Sequence, residues 1–218
     1  KELTEDDKEL RWTTYKDQSE EDEAIFKKLF KKLWDKQMAE VVATYPITQE
    51  LFDQDAVADK WSEDFAPLYA EMYLAAYETG LEGDEIEPAH RAVQPGIPMP
   101  GEGILNTEAL DWIATRSLTM AKLVNNTTYE ELRAALAIGF EEGESIPQLT
   151  RRIRSYYRDG FEKRAAVVAR TEVIAASNEG AVQGYENEGI LKAEFYAAID
   201  ERTCEECLGL HGNEYPIN

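Results

Sequence analysis

Two cysteines and two histidines in 218 residues leave little material for covalent or metal cross-bracing. The cysteines, at 204 and 207, are too close in sequence to staple distant parts of a fold, so the pair marks a local site instead of a disulfide framework. With only two histidines, no His-rich ligand set of the kind a metal-dependent hydrolase uses can form. No apolar run reaches the length of a membrane-spanning helix, and no membrane partner is expected. The opening residues Lys1-Glu2-Leu3-Thr4-Glu5-Asp6-Asp7 have neither an apolar core nor an initiator Met. A signal peptide is therefore not expected, and the chain is expected to begin inside a longer protein. Positive charge is also scarce. The chain has 23 basic against 44 acidic residues, a net charge of −21, which on average repels nucleic acid and anionic lipid.

Helical periodicity dominates what is present. Hydrophobic residues at 43% with 31% charged fit a globular chain of one or two domains. Ile25, Phe26, Leu29, Phe30, Leu33, Trp34, Val41 and Val42 recur at helical spacing and predict a helix over 20–44 that Pro46 stops. Trp61, Phe65, Leu68, Tyr69, Met72, Tyr73 and Ala76 predict a second over 57–79, and Gly80 ends it. The stretch 81–106, with Pro88, Pro95, Pro98, Pro100 and several glycines, reads as a linker or long loop. It separates an N-terminal helical region, 1–80, from a second region, 107–218. Thr107, a capping box of Thr128 with Glu131 and another of Ser145 with Gln148 predict shorter helices near 108–124, 129–142 and 146–158. Gly160 is then expected to break the chain before an Ala-rich helix over 161–187, buried along Ala165, Val168, Ala169, Val173, Ile174 and Ala181 and ended by Gly189. Residues 192–199 change period and suit a short strand, with its partner at 213–217 or further downstream. The expected fold is mainly α: a multi-helix body with a small α+β C-terminal subdomain carrying a short sheet and a Cys-x-x-Cys turn.

The charge sign reverses locally. Arg151, Arg152, Arg154, Arg158, Lys163, Arg164 and Arg170 are opposed within their own stretch only by Asp159 and Glu162. Arg151, Arg152, Arg154 and Arg158 are the candidate contact to DNA or another anionic partner, set against the plainer reading of solvated helix faces that pair with an acidic body. Cys204 and Cys207 have the spacing that lets two thiolates meet one tetrahedral zinc, with His211 close enough to add a third ligand. Two alternatives stay open: a pair of reduced cysteines in a turn, or a redox motif without a thioredoxin-like βαβ setting. Glu205 and Glu206 are expected to disfavour thiolates in the absence of metal.

Three features follow in order: Ala169-Arg170-Thr171-Glu172 on a helix, Asn178 and Gly180 after it, then an aromatic strand feeding Asp200-Glu201-Arg202-Thr203-Cys204-Glu205-Glu206-Cys207 and a turn at Gly212. As an ordered set they resemble the phage Mu F-like minor head proteins of the phage head morphogenesis family. The best match is 161–218. In that family the strand commonly carries Trp where this chain has Phe195-Tyr196, and a His- and Cys-containing tail follows where this chain ends at Asn218, so the module is expected to be truncated. The resemblance implies a structural, non-enzymatic role in procapsid assembly or at the portal vertex, free or fused to a portal protein. It also implies portal and capsid or scaffold proteins as partners, packaged DNA as a further contact, and location in the virion head, with the host cytoplasm during assembly. Zinc is the only cofactor it suggests. By bringing helix and turn together, it further implies an ion-pair network of Arg170, Glu172, Asp200 and Arg202. The alternatives are a toxin-like enzyme of ADP-ribosyltransferase type, for which Glu21-Asp22-Glu23 is a chance-level Glu-x-Glu string, and a generic helical interaction module.

Overall fold

The computed structural model describes residues 4–81, 105–187, 189–197 and 203–217. Helix α1 is Glu5–Thr48, α2 Gln54–Leu81, α3 Thr107–Glu141 and α4 Ile146–Asn187, followed by strand β1 Lys192–Glu194, helix α5 Glu205–Leu210 and strand β2 Glu214–Pro216. The mainly helical body with a small C-terminal sheet is the expected fold class. Of the Gly/Pro-rich stretch 81–106, only Leu81, Leu105 and Asn106 are among the described residues. Helix α4 packs against α1, α2 and α3, and α3 also packs along α2. No helix among the described residues is long and apolar enough to cross a membrane.

The helices are fewer and longer than the sequence reading predicts. Helix α1 starts at a Thr4 capping box with Asp7, well before residue 20, and passes through Pro46 to a left-handed Gln49 at φ 57°. Pro46 falls in the last turn, where the loss of one backbone hydrogen bond is tolerated. Thr128 does not cap a helix. Its Oγ1 donates to the Val124 carbonyl at 2.7 Å inside continuous α3, because the buried row Val124, Thr128, Leu132, Leu136 needs the helix unbroken. Gly160 likewise does not interrupt α4, since Ile153, Tyr157, Phe161 and Ala165 form one four-residue-spaced buried row across it. Burying such a side chain is worth about 1.5–3 kcal/mol, more than the roughly 1 kcal/mol that glycine costs in a helix. Of the stripe expected on α4, Ala165, Ala169 and Val173 are buried, Val168 and Ala181 partly so, and Ile174 is exposed because it lies off that row.

Real helix ends use backbone chemistry. After α3, Glu144 N–H donates to the Gly139 carbonyl and Gly143 N–H to Phe140, with Gly143 at φ 72°, the left-handed residue of a Schellman stop. Gly189 (φ 71°) and Ile190 end α4 in the same way on Glu186 and Tyr185, as expected for Gly189. At Ser145 the Gln148 side chain accepts the Ser145 N–H at 2.8 Å, which is the reciprocal half of the expected capping box. The start of α3 is capped one residue earlier than expected, by Asn106, whose Oδ1 accepts the Ala109 N–H at 2.8 Å.

The core is aromatic. Phe26 and Phe65 pack as tilted rings at 4.6 Å, Phe30 meets Trp61 edge-on at 5.4 Å, and Trp34 packs edge-on against Tyr157 at 4.9 Å. The buried Trp34 indole donates Nε1–H to the Tyr157 carbonyl at 2.8 Å, which pins α1 to α4. At Gly180 α4 comes close to α2, and an added Cβ would sit 2.1 Å from the Tyr73 carbonyl oxygen. Gly160 is different, because its nearest neighbour to an added Cβ is Trp34 at 4.0 Å.

Opposite outcomes are therefore expected for two identical substitutions. Gly180→Ala should destabilise by about 2 kcal/mol or more by forcing the helices apart, whereas Gly160→Ala should stabilise by roughly 0.5–1 kcal/mol. Urea denaturation of both variants checks the pair. A second expectation concerns pH. Burial, and then the charge of Asp22, push the Glu71 carboxyl up to about 7 from its ordinary 4.5. Between those values the folded chain holds a proton that the unfolded chain has lost, so stability falls as pH rises through this window. Because Glu71 is only partly buried, Glu71→Gln should recover on the order of 1 kcal/mol at pH ~8 and almost nothing at pH ~4.

Candidate functional site

The Ala169-Arg170-Thr171-Glu172 segment lies in the middle of α4, where successive positions point about 100° apart. Glu172 faces inward and is 6% exposed. Its Oε2 accepts Arg116 Nε–H at 2.7 Å and its Oε1 accepts Arg116 Nη2–H at 3.0 Å, a bidentate clamp from α3. Tyr69 on α2 donates its hydroxyl to the same Oε2 at 2.7 Å. Burial, and then the Glu172 charge and hydrogen bond, push the Tyr69 hydroxyl pKa up, so it remains a donor. One carboxylate thus ties three helices. Arg170 is half-buried on another side of α4. Of the four residues of the expected ion-pair network, Glu172 has Arg116 as its arginine, and Asp200 and Arg202 lie outside the described residues. Arg116 was not singled out from sequence. The available signal was a lone cation amid Ile113, Ser117 and Met120, on the buried side of α3.

Most of the basic stretch is engaged within the fold. Arg152 clamps Glu144 with Nε at 2.8 Å and Nη2 at 2.9 Å, and also bonds Glu142, closing the α3–α4 turn. Arg164 reaches Glu131 at 2.5 Å, Tyr156 at 2.9 Å and Thr128 at 2.8 Å, and its guanidinium lies 5.4 Å from the Trp34 ring centre. Burial, and then the Glu131 hydrogen bond, push the Tyr156 hydroxyl up to about 12. Arg158 pairs with its neighbour Asp159 at 2.8 Å on the surface. Arg151, Arg154 and Lys163 are exposed and form no ion pair among the described residues. Arg151 borders an open groove with Gln148, Arg152, Ser155 and Tyr156.

The third locus is the C-terminal module. Strands β1 and β2 pair antiparallel, Lys192 with Pro216, Ala193 with Tyr215 and Glu194 with Glu214, so the expected partner at 213–217 is the one used. The first strand is three residues long, shorter than the predicted 192–199, because its partner offers only three residues; 198 and 199 lie outside the described residues. Cys204 is the N-cap of α5, and its Sγ accepts the Cys207 N–H at 3.3 Å. This backbone hydrogen bond, followed by one from the Cys207 side chain, draws the Cys204 thiol pKa down despite Glu206, while the contact with Cys204 pushes Cys207 up. Glu206 disfavours the thiolate at both cysteines, as expected, but at Cys204 the hydrogen bonds from Cys207 outweigh it. His211 closes α5, with its N–H on the Cys207 carbonyl at 3.2 Å.

The His211 Nδ1 accepts the Ala197 N–H at 3.1 Å. The ring also packs on Tyr196 at 4.9 Å, and Tyr196 lies 6.4 Å from Trp12 of α1. Among the described residues no group of three or more His, Cys, Asp or Glu is placed to hold a metal ion. Of the three residues expected as zinc ligands, Cys204 and Cys207 lie at the start of α5 and His211 at its end.

Removing Arg116 should reveal the weight of the Glu172 anchor. Arg116→Ala is expected to destabilise by about 3 kcal/mol, because it strands a buried carboxylate, and Tyr69→Phe by about 1 kcal/mol. Arg116→Ala combined with Glu172→Ala should lose less than the sum of the two singles, and chemical denaturation of the four proteins measures that coupling.

Residues 130–218 match the family described as Phage Mu protein F like protein. No curated protein and no solved structure matches the chain. The matched region begins within α3 and takes in all of α4, the Glu172 anchor, the β1–β2 pair and the Cys204–Cys207 turn, while Arg116 and Tyr69, which hold Glu172, lie before it. Over residues 130–218, less than half of its length, the chain is thus similar to the Phage Mu protein F like family.

Proposed function

We propose that the chain is a structural, non-enzymatic head-morphogenesis protein of a phage, acting in procapsid assembly or at the portal vertex. The family match over 130–218 is the observation that carries this reading. Portal and capsid or scaffold proteins are the partners proposed, whether the chain acts alone or as a module fused to a portal protein. Its location is then the virion head, reached from the host cytoplasm during assembly. Long helices locked by a buried ion pair and an aromatic core suit a rigid spacer between larger assemblies. The toxin-like alternative finds no support at Glu21-Asp22-Glu23, which sits inside α1 with Glu23 bonded to Lys27 at 3.0 Å, not on a turn beside a strand. Contact with packaged DNA is the weaker part of the proposal. Arg152 and Arg158 are engaged by carboxylates, which leaves Arg151 and Arg154 as the exposed arginines of the four that form no ion pair among the described residues.

Peptide mass spectrometry of purified proheads and mature heads tests the assembly role. Peptides of this chain at a fixed ratio to the portal protein are expected, and their absence from both particles would sink the proposal. For DNA, Arg151→Ala with Arg154→Ala should lower the slope of log affinity against log salt by roughly 1–2; an unchanged slope removes DNA as a partner of this face.

A further inference from the structure

We infer that Cys204 and Cys207 are a reversible dithiol–disulfide couple that exchanges with small disulfides of the glutathione type. The inference rests on 195–197 and 203–211 and is independent of the head-assembly reading. Cys204 is exposed, Cys207 is half-buried, and Cys204 Sγ is folded back over the first turn of α5, 3.3 Å from the Cys207 amide nitrogen. An N-cap residue and the third residue of its helix lie roughly one turn apart, about 5–6 Å between Cα atoms, within the span a disulfide bridges without backbone movement. The residue that would turn the pair into a three-ligand metal site is engaged elsewhere, since His211 Nδ1 takes the Ala197 N–H and its ring packs on Tyr196. What remains is two adjacent thiols open to solvent.

The chemistry balances with oxidised glutathione as oxidant. The Cys204 sulfur, its proton passing to solvent, attacks one sulfur of the glutathione disulfide. That S–S bond breaks, and the first glutathione leaves as a thiolate that takes up a proton. Cys207, losing its own proton, then attacks Cys204 Sγ in the mixed disulfide and expels the second glutathione. The protein loses two electrons and two protons, and one glutathione disulfide becomes two thiols. Because the link spans neighbouring positions of one short helix, it constrains little of the unfolded chain. The helical body should be little affected by it, with a melting temperature moved by at most about 4–8 °C.

Equilibration of the whole chain in glutathione redox buffers, followed by acid quench, alkylation and mass spectrometry, tests the assignment. The expected result is a species lighter by two hydrogens in which both cysteines escape alkylation together. Cys207→Ser should trap one glutathione on Cys204, and Cys204→Ser should react more slowly at the less exposed Cys207, by roughly tenfold. Circular dichroism of both variants should match the parent. Independent glutathionylation of the two cysteines in the parent, with no internal disulfide, would overturn the inference. So would stoichiometric zinc that shields both thiols until it is chelated.

Discussion

A single buried carboxylate organises the body. Glu172 would be intolerable in the interior alone; it is stable there because Arg116 holds both its oxygens and Tyr69 supplies a third hydrogen bond. Those partners come from α3 and α2, so ionic satisfaction of one side chain on α4 sets how three helices lie against one another. Apolar packing alone permits a helix to slide or rotate among similar arrangements. A bidentate ion pair does not, because a shift of a fraction of a turn leaves the charge unpaired.

The rest of the packing follows from that fixed placement. Gly180, two turns beyond Glu172, lets the α4 backbone approach the Tyr73 carbonyl, and one turn before it Ala169 continues the small-residue contact. Toward the other end, Trp34 donates into the Tyr157 carbonyl beside Gly160, and Arg164 covers the indole while binding Glu131. The α3–α4 turn is closed by Arg152 on Glu142 and Glu144. Much of the positive charge of this region thus serves internal geometry, and only its exposed remainder is available to a partner.

The C-terminal module is attached more lightly. A two-stranded sheet of three residues a side has little core, and Leu191, Phe195, Tyr196, Leu208, Leu210 and Tyr215 are all exposed. It is tied to the body through the Trp12–Tyr196–His211 ring contacts and the Lys8–Glu194 ion pair at 2.9 Å. These contacts involve the first three turns of α1, a segment that the hydrophobic periodicity gave no reason to call helical. Its helix is decided by the Thr4–Asp7 cap and by tertiary contacts of its polar length.

Residue order and spacing alone determined where the helical rows lie, that Gly189 ends the last long helix, that a strand near 192 pairs with one near 214, and, through ordered motifs, the similarity of the last part of the chain to a known family. These are local properties, set by residues within a few turns of one another or by their order along the chain. Tertiary structure alone decided that Thr128 and Gly160 lie inside helices, because the burial gained across them outweighs a cap or glycine preference of about 1 kcal/mol. It alone decided that the partner of Glu172 is Arg116, 56 residues away, and that His211 serves Ala197. An arginine, a carboxylate or an imidazole announces only that it needs a partner. Which one it finds depends on which surfaces the packed helices bring face to face.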